Sequence, residues 1–139
     1  MRAFKFIALA LPLLLATTGC DDNAFADLPL TPDPVTVTET FTGTITINGA
    51  ATHTFFTSAT GATTATLTSL GENPPALVGL SMGTWAGATC SLILTNDRAV
   101  VTSVVTGTVT TLGGSLCVRI YDVGSLTEPA SYEIRVEHK

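Results

Sequence analysis

The sequence predicts an all-β protein, an antiparallel β-sandwich of about seven to nine short strands. Apolar and polar residues alternate with period two through nearly all of the chain after residue 34, the pattern of half-buried strands. Gly, Pro and Asn clusters break this alternation at short intervals, where turns belong. Threonine is used heavily, and its branched Cβ suits extended backbone. No stretch beyond the N-terminal leader has a helical period. A chain of 139 residues forms one domain of this kind.

The first predicted strand alternates Val35, Val37, Phe41, Ile45 and Ile47 with a threonine face, and Asn48-Gly49 then supplies a strong turn signal. That threonine face is expected to be polar strand surface, since an ice- or polymer-binding array would need regular ranks on several strands. Thr52 to Ser58 follows, then Ala62 to Leu70 after Gly61. Asn73-Pro74-Pro75 ends this third run because proline cannot donate to a ladder. Further strands are expected at Ala76 to Met82, Ala88 to Thr95 and Ala99 to Thr111. The last two runs are Ser115 to Asp122, with Leu116, Val118 and Ile120 on one face, and Tyr132 to Val136, with Tyr132, Ile134 and Val136 on one face. They read as the pair of strands on which the others pack.

Ahead of the body, Arg2 and Lys5 precede a short apolar run from Phe6 to Ala16. It is shorter than the roughly 20 residues that span a bilayer, and has the length of a signal-peptide core. Ala16-Thr17-Thr18-Gly19-Cys20 then resembles the bacterial lipoprotein box, in which a small residue precedes the cysteine that is lipidated; Thr17 stands where that box prefers Leu. The alternative is ordinary secretion with cleavage after Ala24-Phe25-Ala26. The expected organisation is a lipoprotein signal peptide over 1–19, a lipidated Cys20 and Pro-rich tether over 20–34, and the sandwich over 35–139. Pro29, Pro32 and Pro34 stiffen the tether toward extended conformation. The expected location is the bacterial cell envelope, anchored to a membrane by lipid.

The formal net charge is −5; removing Arg2 and Lys5 from the six bases leaves four against eleven acids, or −7. An acidic body without a basic cluster argues against nucleic acid and against anionic lipid surfaces. With Cys20 lipidated, Cys90 and Cys117 remain, an even pair in an exported chain, and read as a disulfide; free thiols or a two-cysteine metal site are the alternatives.

The chain resembles the bacterial pre-peptidase C-terminal (PPC) domain and its small lipoprotein relatives. The resemblance rests on Phe41-Thr42-Gly43, His53-Thr54-Phe55, Gly61 leading into Ala65 to Leu70, and Val78-Gly79-Leu80. It continues through Gly83-Thr84-Trp85, Cys117 to Asp122, and Tyr132 to Val136; Leu116 departs from the Tyr common after Gly in that family. The resemblance implies a jelly-roll-like sandwich and a non-catalytic module of the sort that accompanies secreted enzymes.

No nucleophile–base set, paired carboxylates or phosphate loop stands out, so no catalytic residue, cofactor or resident metal is nominated. His53, in phase with Phe55, reads as a structural histidine, and His138 as a solvated one. Asp97 and Asp122 fall at turns; they are nominated as calcium candidates against the commoner role of turn capping. Trp85, between Gly83 and Gly87, is a candidate ligand contact through stacking, against the commoner role of covering the core end beside Cys90. The expected function is a non-catalytic, lipid-anchored envelope module that binds a ligand or serves structurally. The alternative is an accessory carbohydrate- or protein-binding domain working with a separately encoded secreted enzyme; its partners would be an envelope protein or glycan.

Overall fold

The computed structural model describes residues 31–139. The leader, Cys20 and the tether as far as residue 30 lie outside the described residues, and 31–36 are exposed and without regular structure. Eight strands follow: β1 (Val37–Ile45), β2 (Ala50–Thr57), β3 (Gly61–Ser69), β4 (Val78–Trp85), β5 (Cys90–Ala99), β6 (Val104–Val109), β7 (Gly114–Tyr121) and β8 (Ala130–His138). They form two four-stranded antiparallel sheets, ordered β1-β8-β3-β6 and β2-β7-β4-β5. This is the double-sheet jelly roll that the resemblance implied. Within it the pairs β4–β5, β3–β6, β2–β7 and β1–β8 are nested inside one another. The chain is therefore one long antiparallel ribbon folded across itself, with its tip at the turn where the Ala86 N–H donates to the Thr89 carbonyl.

The expected strands are all present, with ends displaced by a few residues; β5 runs through Asn96-Asp97, expected as a turn, and the turn falls instead at 100–103, inside the strand expected from Ala99. At Asn48 the chain turns with φ +57°, the left-handed conformation that asparagine tolerates, and the Gly49 N–H donates to the Thr46 carbonyl. Val35, Val37 and Ile47, placed by alternation on the inward face of the first strand, are 79%, 42% and 48% exposed, because Val35 and Ile47 fall outside β1 and Val37 is the first residue of this edge strand.

The expected pairing of the last two strands is corrected. β7 and β8 are not a pair; each lies inside a different sheet, β7 between β2 and β4, β8 between β1 and β3. Their inward faces do build the core as the alternation predicted. Val118, Ile120, Tyr132, Ile134 and Val136 are all buried and meet Leu67, Val78, Leu80 and Phe55. Each such aliphatic side chain contributes roughly 1.5–3 kcal/mol on leaving water.

The threonine ranks are split. On the outer face of the first sheet, β8 sets Glu133, Arg135 and Glu137 opposite Thr42, Thr40 and Thr38 of β1. Thr66 and Thr64 of β3 lie beyond Arg135 and Glu137. A charged row thus separates the two threonine strands, and the face is ordinary polar strand surface.

Cys90 and Cys117 are joined, with Cα atoms 5.8 Å apart. The bridge does not link hydrogen-bonded neighbours, since β4 lies between β5 and β7. It is made possible at Gly83. The β4–β5 register slips between Met82 and Gly83, and β5 closes down over β4 there. A Cβ on Gly83 would sit 2.0 Å from the Ser91 carbonyl oxygen. Only hydrogen fits, and this close approach brings Cys90 across to β7.

Two outcomes follow from this crossing. Reducing the bridge, which closes a sequence separation of 27 residues, should cost about 3–4 kcal/mol in a denaturant titration. Gly83→Ala should destabilise by about 1–3 kcal/mol or more through overpacking against backbone, and raise the fraction of reactive thiols in the unreduced protein. Wild-type stability and full oxidation of the Gly83→Ala protein would refute the crossing.

Candidate ligand site

The two open sides of the sandwich differ. On one, the sheet edges β1 and β2 meet over an aromatic seam. The Phe41 and His53 rings stack with centroids 4.9 Å apart, and Phe55 lies 5.3 Å from the His138 ring. His53 Nε2 and the Tyr132 hydroxyl are 2.6 Å apart in a hydrogen bond whose donor follows the imidazole tautomer. Gly43, opposite Tyr132 in the register, leaves the room this ring occupies. His53 is thus the structural histidine expected. His138 is not the solvated residue expected: it is 3% exposed, with Nε2 2.9 Å from Glu39 Oε1 and Nδ1 without a partner among the described residues. Alternation explains the burial, because His138 continues the inward series Ile134, Val136 by one more step.

On the other side the edge strands β5 and β6 leave a cleft of about 330 Å3. Met82, Leu94, Leu116, Ile93 and Val109 supply aliphatic walls, and threonines supply the polar groups. No lining residue is ionisable. At the floor is Thr63 of β3, 1% exposed, whose Oγ1 has no hydrogen-bond partner among the described residues. Gly107, opposite Thr63 on β6, makes room for Leu94 and Met82, since a Cβ there would lie 2.8 Å from Leu94 Cδ1 and 3.4 Å from Met82 Cε. Ile93 stands at the mouth, 67% exposed. The volume falls at the lower end of the range of small-molecule sites, about 300–1,000 Å3. These residues come from strands β3 to β7, so no local motif in the sequence marks them.

Trp85 sits at the end of β4 opposite Cys90, as expected, but is half-buried and stands apart from both the buried core and the cleft lining. Asp122 caps a turn: its Oδ1 accepts the N–H groups of Gly124, Ser125 and Leu126, and its Oδ2 that of Asn48. The Asn48 bond above all, with the other three, holds its pKa below the ordinary 3.8. Asp97 instead accepts the Tyr121 hydroxyl, which also receives a bond from Ser81 Oγ. Burial, then the Asp97 bond, raises the Tyr121 pKa. The two nominated calcium residues are therefore engaged in separate local roles, and no three His, Cys, Asp or Glu residues cluster as ligands among the described residues.

The seam has a pH signature. Burial lowers the His53 pKa from its ordinary 6.5, so the folded protein binds this proton less readily than the unfolded chain. The resulting stability is complete above pH 6.5 and is lost as pH falls below it toward the lowered folded value. Between pH 7.5 and pH 5 the Tm of wild type should therefore drop further than that of His53→Phe, measured by thermal melts in matched buffers. Parallel falls would refute this assignment.

No family model matches the chain, and no curated protein matches it. Among solved structures, the crystal structure of the Yersinia pseudotuberculosis-derived mitogen superimposes with a TM-score of 0.55 at 18% identity, covering 76% of this chain and 88% of that one. The similarity is one of fold, a sandwich of the same kind.

Proposed function

We propose that this chain is a non-catalytic binding module of the bacterial cell envelope, anchored through lipid on Cys20, and that it binds at the β5–β6 edge. The observation that carries the reading is the contrast between the sandwich's two sides: one filled by the Phe41–His53–Tyr132 seam, the other open as an aliphatic, threonine-lined cleft. The Cys90–Cys117 bridge supports an extracytoplasmic setting, where disulfides persist. The resemblance to PPC domains, which are non-catalytic modules, points the same way. A second reading, an accessory carbohydrate- or protein-binding domain serving a separate secreted enzyme, is favoured by the half-exposed Trp85 at the ribbon tip, where an indole could stack on a sugar.

Two measurements test this. Cys20→Ala should release the protein from the membrane fraction or block its maturation; a matured variant that fractionates with membranes as wild type does would overturn the anchor. For binding, the full chain in lipid nanodiscs, with Met, Leu, Val and Thr methyls labelled, is titrated with organic, glycan and peptide fractions of an envelope extract. At least one fraction should perturb the Met82, Leu94 and Val109 methyls. Glycan-induced quenching of Trp85 with those methyls unmoved would favour the accessory reading instead, and no response to any fraction would overturn both.

A further inference from the structure

We propose that the β5–β6 cleft takes one small, uncharged and largely apolar molecule bearing a single hydroxyl or carbonyl group, whose polar end pairs with Thr63 Oγ1. The inference rests on the binding reading above and specifies its ligand. The walls decide the charge. Met82, Leu94, Leu116 and Val109 offer no counter-ion, and a charged group desolvated among them would pay a large penalty with nothing to offset it. The floor decides the polar group. Thr63 Oγ1 is buried with less than 1 Å2 accessible and lacks a partner among the described residues. A buried hydroxyl left unpaired is costly, and most such groups in folded proteins find one. A ligand oxygen would supply the missing bond.

The geometry decides the access. Gly107, across the β3–β6 register from Thr63, carries no side chain to close the floor, and Leu94 Cδ1 and Met82 Cε already crowd the space where one would be. Met82 and Leu94 therefore screen the hydroxyl with flexible side-chain ends, and methionine in particular adapts its rotamer at modest cost. Entry past the exposed Ile93 followed by a rotamer change at Met82 or Leu94 brings a chain-like or ring-like ligand down to Thr63. The small volume limits the occupant to a single such molecule and excludes a folded polypeptide segment.

The probe is 1-octanol, with octanoate as the charged molecule of equal chain length, titrated against the full chain in nanodiscs and followed at the Met82, Leu94 and Thr63 methyls. Octanol should give saturable shifts at all three, and octanoate should bind at least tenfold more weakly at a pH where it is ionised. Thr63→Val, which keeps the shape and removes the hydroxyl, should weaken octanol by roughly 2- to 10-fold. Ile93→Glu, a surface change, should abolish the shifts while the remaining methyl spectrum stays that of the folded protein. Equal affinity for octanol and octanoate, non-saturable shifts, or octanol binding unchanged by both substitutions would overturn the proposal. If an envelope fraction shifts the cleft methyls and octanol does not, the ligand class is wrong and the binding module stands. If neither does, both fall.

Discussion

The contact on which the architecture depends is the closure of β5 onto β4 at Gly83. At that point backbone meets backbone with no side chain between them, and Cys90 reaches past an intervening strand to Cys117. Sheet neighbours two strands apart are ordinarily about twice the 4.7–4.9 Å strand spacing from one another. The 5.8 Å Cα separation shows how strongly the sheet is curled at its end. The register slip between Met82 and Gly83 belongs to the same feature, because an extra residue on the bulged strand bends it and increases its twist. The curl sets the position of Leu94 and Ile93, and therefore one wall of the cleft. Fold and candidate site share a single cause here.

The two sides of the sandwich solve the same problem in opposite ways. Each sheet ends in unpaired edges, and the interior between them must be covered. At the β1–β2 side the cover is rings: Phe41, His53, Phe55, Tyr132 and His138 fill the gap, with Glu39 meeting His138 at its rim. At the β5–β6 side the inward residues are small or aliphatic, Gly107 among them, and the gap stays open. Had a ring stood at position 107, Leu94 and Met82 could not occupy their present places, and the sandwich would lose the asymmetry on which the functional reading rests.

Much of this was legible in the sequence because alternation reports one thing well, which side of a strand faces inward. It placed Ile134 and Val136 in the core and marked most turns, though it set one at Asn96-Asp97, inside β5, and ran a strand through the turn at 100–103. It does not report partners. The runs at 115–122 and 132–136 look like neighbours because only nine residues, 123–131, separate their predicted ends, yet the loop held by the Asp122 cap carries the chain from one sheet to the other. His138 was misjudged for a related reason: its place near the last residue outweighed its phase, although phase decides burial within a strand. The two cysteines left once Cys20 is set aside pointed to the bridge. The cleft had no such signal, since Thr63, Met82, Leu94, Gly107 and Leu116 sit on five strands, and their convergence exists only after pairing.

The nested pairing has a consequence for how the chain acquires its shape. Of the strand pairs, only β4 with β5 joins neighbours along the chain; β1 must wait for β8, and β2 for β7. Loop closure must be met before such distant partners reward it, so assembly is slow and its early stages leave unpaired edges exposed. The ribbon tip, Trp85 to Cys90, is then the natural nucleus, and zipping proceeds outward toward both termini. As the chain emerges N-terminus first, the opening strand has no partner until the closing one arrives. The chain's first half must therefore stay apart from its neighbours' first halves until the last nine-residue strand comes through.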